Sequence, residues 1–134
     1  MRKGVSLVAS VLGGSLLLAT PSANADQLVK VVDHLIVSSR PLSLEEVKSR
    51  VNMAATRRGW MVEDDGQQRL RAIIEADHGN YQAIVSITYT EKAYSIELVE
   101  SKGFRQRGDQ INGRANRWIR NLEQDIHVMM QRPV

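Results

Sequence analysis

The sequence predicts an α+β fold: a two-layer sandwich with two helices packed on one face of a four-stranded antiparallel meander, in the order α-β-β-β-β-α. Three observations carry this. Residues 43–59 show a capped amphipathic helix, residues 60–100 hold four runs of period-two alternation, and a second helical stripe runs from about Ile111 to Met130. Two apolar helix stripes and one apolar sheet face must cover one another, which defines a two-layer domain.

The chain opens differently. Arg2 and Lys3 precede an apolar run from Val5 to Ala19, followed by Pro21 and Ala23-Asn24-Ala25. A positive start, an apolar middle and a small-x-small end form a cleavable secretory signal over residues 1–25. The run is shorter than the roughly 20 residues a helix needs to span a bilayer. Cleavage before Asp26 leaves one small domain, expected to be soluble in the periplasm or secreted. Residues 26–41 form an N-terminal segment in which LVKVVDHLIVS suits a strand or a short helix equally, and residues 42–134 form the α+β domain.

Ser43 with Glu46 three residues on is a capping box, and Leu42 with Val47 occupies the staple positions. Leu44, Val47, Val51 and Ala54 then recur at helical spacing, and Gly59 ends the helix. Trp60 and Val62 begin the alternation. Asp64-Asp65-Gly66 and Asp77-His78-Gly79-Asn80 are turns, and Glu91-Lys92 is a third break. Pairing Ala76 with Tyr81 sets Ala72 against Val85 and Leu70 against Ile87. Pairing Thr90 with Ala93 sets Val85 against Leu98 and Ile87 against Ile96. The apolar sets fall on one face, so the register is well specified. On the other face the same register aligns Ile73, Ile84 and Val99. The final stripe is Ile111, Ala115, Trp118, Leu122, Ile126 and Met129. Trp118 is expected between helix and sheet, where truncation to Ala costs about 3–5 kcal/mol.

Composition narrows the chemistry. There is no cysteine, which excludes disulfides, thiolate metal sites and a lipid-bearing N-terminal Cys. The net charge of +3 falls to +1 without Arg2 and Lys3. Residues 59–101 hold three basic and eight acidic groups, and residues 102–134 hold seven basic and three acidic. This segregation indicates a polar surface rather than a nucleic-acid binder. His34, His78 and His127 match no metal spacing, and no nucleophile elbow or phosphate loop is present. No metal or other cofactor is expected. A catalytic reading requires a pocket in which one of these histidines meets a carboxylate.

Two surfaces are candidates for binding. Arg114, Arg117 and Arg120, with Lys102, Arg105 and Arg107, suit phosphate or carboxylate partners, because each guanidinium presents a planar fork of donors. The row Ile73, Ile84, Val99 suits a peptide or a second protomer.

Arg58-Gly59-Trp60, Tyr94-Ser95-Ile96 with Glu100-Ser101, Ile111-Asn112 and Asn116-Arg117-Trp118-Ile119-Arg120-Asn121-Leu122 appear in that order. Together they resemble a family of small exported bacterial proteins, often lipoproteins, of unknown function, over about residues 42–130. The resemblance implies an envelope location and carries over no site residues. The chain departs from the pattern in lacking a lipobox Cys and in having Ala115 where an aromatic is expected. The function expected is a non-catalytic envelope module that binds a protein partner or its own copy. The alternatives are a binder of anionic lipid headgroups or polysaccharide and, third, a small hydrolase.

Overall fold

The computed structural model describes residues 25–133, so the expected signal segment lies outside the described residues, save the backbone of Ala25. The α+β class and the antiparallel sheet are as expected. The sheet, however, has five strands, and a separate two-stranded sheet joins the start of the described chain to the segment just before the last helix.

Helix α1 (Leu44–Arg58) begins where its cap dictates. Ser43 Oγ accepts from the Glu46 N–H at 3.1 Å, and the Glu46 carboxylate accepts from the Ser43 N–H at 3.0 Å. It ends at Gly59, whose φ of 102° is the left-handed conformation that a side chain disfavours. Val47, Val51, Ala54 and Ala55 are buried, whereas Leu44 sits at the surface. Arg50 is buried as well. Its Nη1 donates to the carbonyls of Met129 at 2.7 Å and Arg132 at 2.8 Å, closing the end of the second helix. Burying a guanidinium is tolerable because carbonyls at a helix end lack the α-helical partner that an interior turn supplies; that of Met129 otherwise accepts only from the Arg132 N–H at 3.3 Å.

The large sheet has the order β2-β6-β5-β4-β3, with β2 Val31–Leu35, β3 Met61–Asp64, β4 Arg69–Ala76, β5 Tyr81–Tyr89 and β6 Ala93–Lys102. Within the meander the predicted pairs hold: Ala76 with Tyr81, Ala72 with Val85, Leu70 with Ile87, Val85 with Leu98, and Ile87 with Ile96. The first hairpin has the odd loop that parity demands, closed by the Asp65 N–H on the Arg69 carbonyl at 3.1 Å.

The N-terminal segment resolves as strand. β2 pairs antiparallel with β6 at the sheet edge, with an extra residue between Val31 and His34. Asp33 takes a φ of 48° there, and its N–H donates to Ser95 Oγ at 2.9 Å. The bulge sets both Val31 and His34 opposite inward residues of β6, Ile96 and Tyr94.

β1 (Ala25–Gln27) pairs with β7 (Gln110–Asn112), so Ile111 belongs to a strand rather than to the last helix, although it is fully buried. Helix α2 (Gly113–Gln131) starts from the Asn112 cap. Its buried stripe is Ala115, Asn116, Ile119, Leu122, Ile126, Met129 and Met130. Ile119, not Trp118, faces the sheet, and Trp118 is half-buried at the flank. The core joins both helices to Leu70, Ala72, Ala83, Val85, Ile87, Tyr94 and Ile96, and the opposite sheet face is left open.

Candidate functional site

The basic stripe is built on the first turns of α2. The Asn112 Oδ1 accepts from the Arg114 N–H at 2.8 Å and starts the helix. Beside it, the loop after β6 passes so close to Asn80 that a Cβ on Gly103 would collide with the Asn80 carbonyl, and Gly103 has a φ of 86°. That turn drives Phe104 into the core. Phe104 meets the Tyr81 ring at 5.4 Å and the edge of Trp118 at 5.1 Å. The Arg114 guanidinium lies 4.7 Å from the Tyr81 ring centre and 5.3 Å from that of Trp118. Cation–π contact on two rings holds the group without using up its N–H donors.

Arg117 and Arg120 are exposed. Among the described residues, no carboxylate lies within ion-pair distance of Lys102, Arg105, Arg107, Arg114, Arg117 or Arg120. Elsewhere several cations are engaged: Lys48 with Asp64 at 3.0 Å, Arg58 with Asp125 at 2.6 and 2.9 Å, Arg40 with Glu46, and Lys30 with Asp109 at 3.6 Å. The Asp64 carboxylate raises the Lys48 pKa, and the Asp125 carboxylate raises that of Arg58. The Asp26 carboxylate lies over Gly113, at the positive end of α2.

The open sheet face departs from the expected row. Ile73 and Ile84 are paired, but a register shift after Ile84 places Glu100 opposite it and sets Val99 aside. Ile84 is only 5% exposed and Ile73 is half-buried, whereas Val99 is 60% exposed. Met61 pairs with Ile73 and extends the row to the other edge, 67% exposed. The more open apolar strip lies on β2 and just beyond it, where Val32 is 72% and Leu35 68% exposed, with Val37 following.

Two histidines come together across 93 residues of sequence. His34 Nδ1 lies 2.9 Å from a Glu123 carboxylate oxygen, its ring stacks on Tyr94 at 4.8 Å, and His127 lies at 5.3 Å. The Tyr94 hydroxyl donates to the Glu123 carbonyl at 3.0 Å. Burial, and then the Glu123 charge, push the Tyr94 phenol pKa upward. His34 thus meets a carboxylate, one of the two conditions for a catalytic reading; the other is a pocket, and none of the three clefts lined by Ala54 and Asp125, by Ser49 and Met53, or by Ile36 and Pro41 includes His34. Among the described residues, no three His, Cys, Asp or Glu side chains converge to hold a metal ion. What this group does visibly is tie β2 to β6 and α2. His78 sits in the second turn at a φ of 56°.

The chain matches no protein-family model, no curated protein and no solved structure. No helix among the described residues is long and apolar enough to cross a membrane.

Proposed function

We propose that this protein is an exported binding module whose partner is anionic envelope material, lipid headgroups or polysaccharide, received on the basic end of α2. The observation that supports this reading is the run of six cations between Lys102 and Arg120 without a carboxylate partner among the described residues, one of them fixed between two aromatic rings. Immobilised donors bind an anion at lower entropic cost than free ones. Arg117→Glu with Arg120→Glu should abolish capture on anionic vesicles or polysaccharide while leaving the melting curve unchanged. Capture by the parent should weaken steeply with salt, because exposed charges are screened within about 10 Å at 0.1 M. Retention by a folded double variant overturns the proposal.

A second reading, a protein partner or a second copy, has its own support in Val32 and Leu35 on an edge strand. Exposed edge strands offer unpaired backbone groups to another chain. Leu35→Asp tests it. Ile84→Asp does not, since Ile84 is covered and a charge there would damage the sheet itself.

A further inference from the structure

The face of the large sheet turned away from the helices is open, and β5 is its central strand, with β4 and β6 on either side. The register sets the outward side chains of these three strands in rows. Arg71, Ser86 and Glu97 form one row, and Glu75, Gln82 and Lys102 another. Between them lie Ile73 and Ile84, with Val99 and Glu100 at the bulge.

In both charged rows the sign reverses across β5. Arg71 on β4 has Glu97 as its counterpart on β6, and Glu75 has Lys102. Counterparts are two strands apart, roughly 10 Å, too far for an ion pair within one chain. Arg71 is also short of partners. Its Nε is buried, yet makes no hydrogen bond among the described residues, with the Glu63 carboxylate 3.9 Å away. A buried donor left in that state is costly.

A second copy, turned by half a revolution about an axis along β5, brings its β4 over the β6 of the first. Arg71 of each copy then faces Glu97 of the other, and Glu75 faces Lys102. Ile84 lies on the axis against its own counterpart, and Ile73 meets Val99, which is 60% exposed in the single chain. A two-fold interface requires this self-complementarity. A foreign partner gains nothing from a charge pattern that inverts about one strand, whereas a second copy depends on it. Stacked sheets keep their strands within about 30° of each other, which this axis allows. The area suffices as well. Strands about 4.8 Å apart, with a rise of about 3.3 Å per residue, give roughly 600 Å² of flat face per copy. Counted on both copies that is about 1,200 Å², the lower end of a stable interface.

We infer that the open face of the sheet is a two-fold interface with a second copy of this chain. The inference does not rest on the anion-binding reading. Arg114, Arg117 and Arg120 belong to α2, on the other side of the sheet, and only Lys102 of the basic run is drawn in. It also differs from pairing at the strand edge, where Leu35 lies.

Sedimentation equilibrium of the purified protein at about 1–300 µM tests it. The parent should reach the mass of a dimer. Arg71→Glu sets carboxylate against carboxylate at both contacts, and Glu97→Arg sets guanidinium against guanidinium. Each should raise the Kd at least about tenfold. An equimolar mixture of the two variants restores opposite charges at both contacts and should return to within about threefold of the parent. No change confined to one chain produces that rescue. Glu75→Lys and Lys102→Glu form a second such pair, to be used if circular dichroism shows that Arg71→Glu does not fold. A parent that stays monomeric at about 300 µM overturns the inference, and so does a mixture that associates no better than its components. Leu35→Asp should leave the Kd unchanged. A dimer lost in Leu35→Asp and kept in the charge variants also overturns the inference, and moves the interface to the strand edge.

Discussion

Asn116 fastens the start of the described chain to α2, and its removal should be felt at a distance in sequence. Its Oδ1 accepts from the Val29 N–H at 2.9 Å, and its Nδ2 donates to the Gln27 carbonyl at 2.8 Å. The residue is buried, so water replaces neither bond freely. Asn116→Ala leaves one donor and one acceptor without partners, at about 1–3 kcal/mol each in a buried setting. Both bonds are only part-buried, which places the expected loss at about 2–4 kcal/mol. That is a large share of the roughly 5–15 kcal/mol that holds a domain of this size. Urea unfolding measures the total. Amide exchange locates it, since the Val29 N–H should lose protection while those of Val85 and Ile87 open only with the whole domain. Asn116→Asp should be damaging near neutral pH, because a carboxylate then faces the Gln27 carbonyl. It should recover in acid, where the protonated carboxyl again donates. A Val29 amide that exchanges as slowly in Asn116→Ala as in the parent would refute the reasoning.

The other expectations concern the core, the helix end and the cap. Ile119→Ala should cost about 2–5 kcal/mol, and Trp118→Ala should cost less because Trp118 is half-buried; thermal melts of the pair would reverse this order if Trp118 were the core residue. Arg50→Met removes the guanidinium from the Met129 and Arg132 carbonyls, leaving Met129 only its 3.3 Å bond from the Arg132 N–H, and should cost about 1–3 kcal/mol, with faster amide exchange in the last turn of α2 as the readout. The Arg40 guanidinium, and then the Ser43 N–H, hold the Glu46 carboxyl at about 2, below its ordinary value. A depressed carboxylate stabilises the fold above its ordinary pKa and loses that contribution as pH falls through the depressed one. The gap in Tm between parent and Arg40→Ala should therefore persist at neutral pH and close as pH falls towards 2; a gap that does not vary with pH would exclude the pair as its source.

The capped helix and the meander were legible because their signals are local. Ser43 and Glu46 are three residues apart, and the alternation from Leu70 to Leu98 leaves one parity that buries its apolar side. β2 was not, because its bulge brings Val31 and His34 to the same face at a spacing of three, which a helix also shows. Trp118 was misplaced because counting began at Ile111, which precedes the helix. The Ile73–Ile84–Val99 row failed at its last member, since a sequence carries no mark of a bulge at Val99. The arginines of α2 were visible as a cluster. The rings that hold Arg114, and the meeting of His34 with Glu123, join residues far apart in the chain and leave no local trace.

The bonds of Asn116 reach back 87 and 89 residues, and those of Arg50 forward 79 and 82. Closing such spans is entropically dear early in folding, when little else restrains the chain. The meander, with its short turns, can form first, while the pairing of β1 with β7 waits until residue 116 is in place. In a chain synthesised N-terminus first, Gln27 and Val29 are thus made well before Asn116 and are among the last residues to settle. Asn116→Ala should accordingly hasten unfolding while barely slowing refolding, because bonds absent from the transition state govern how long the folded form lasts.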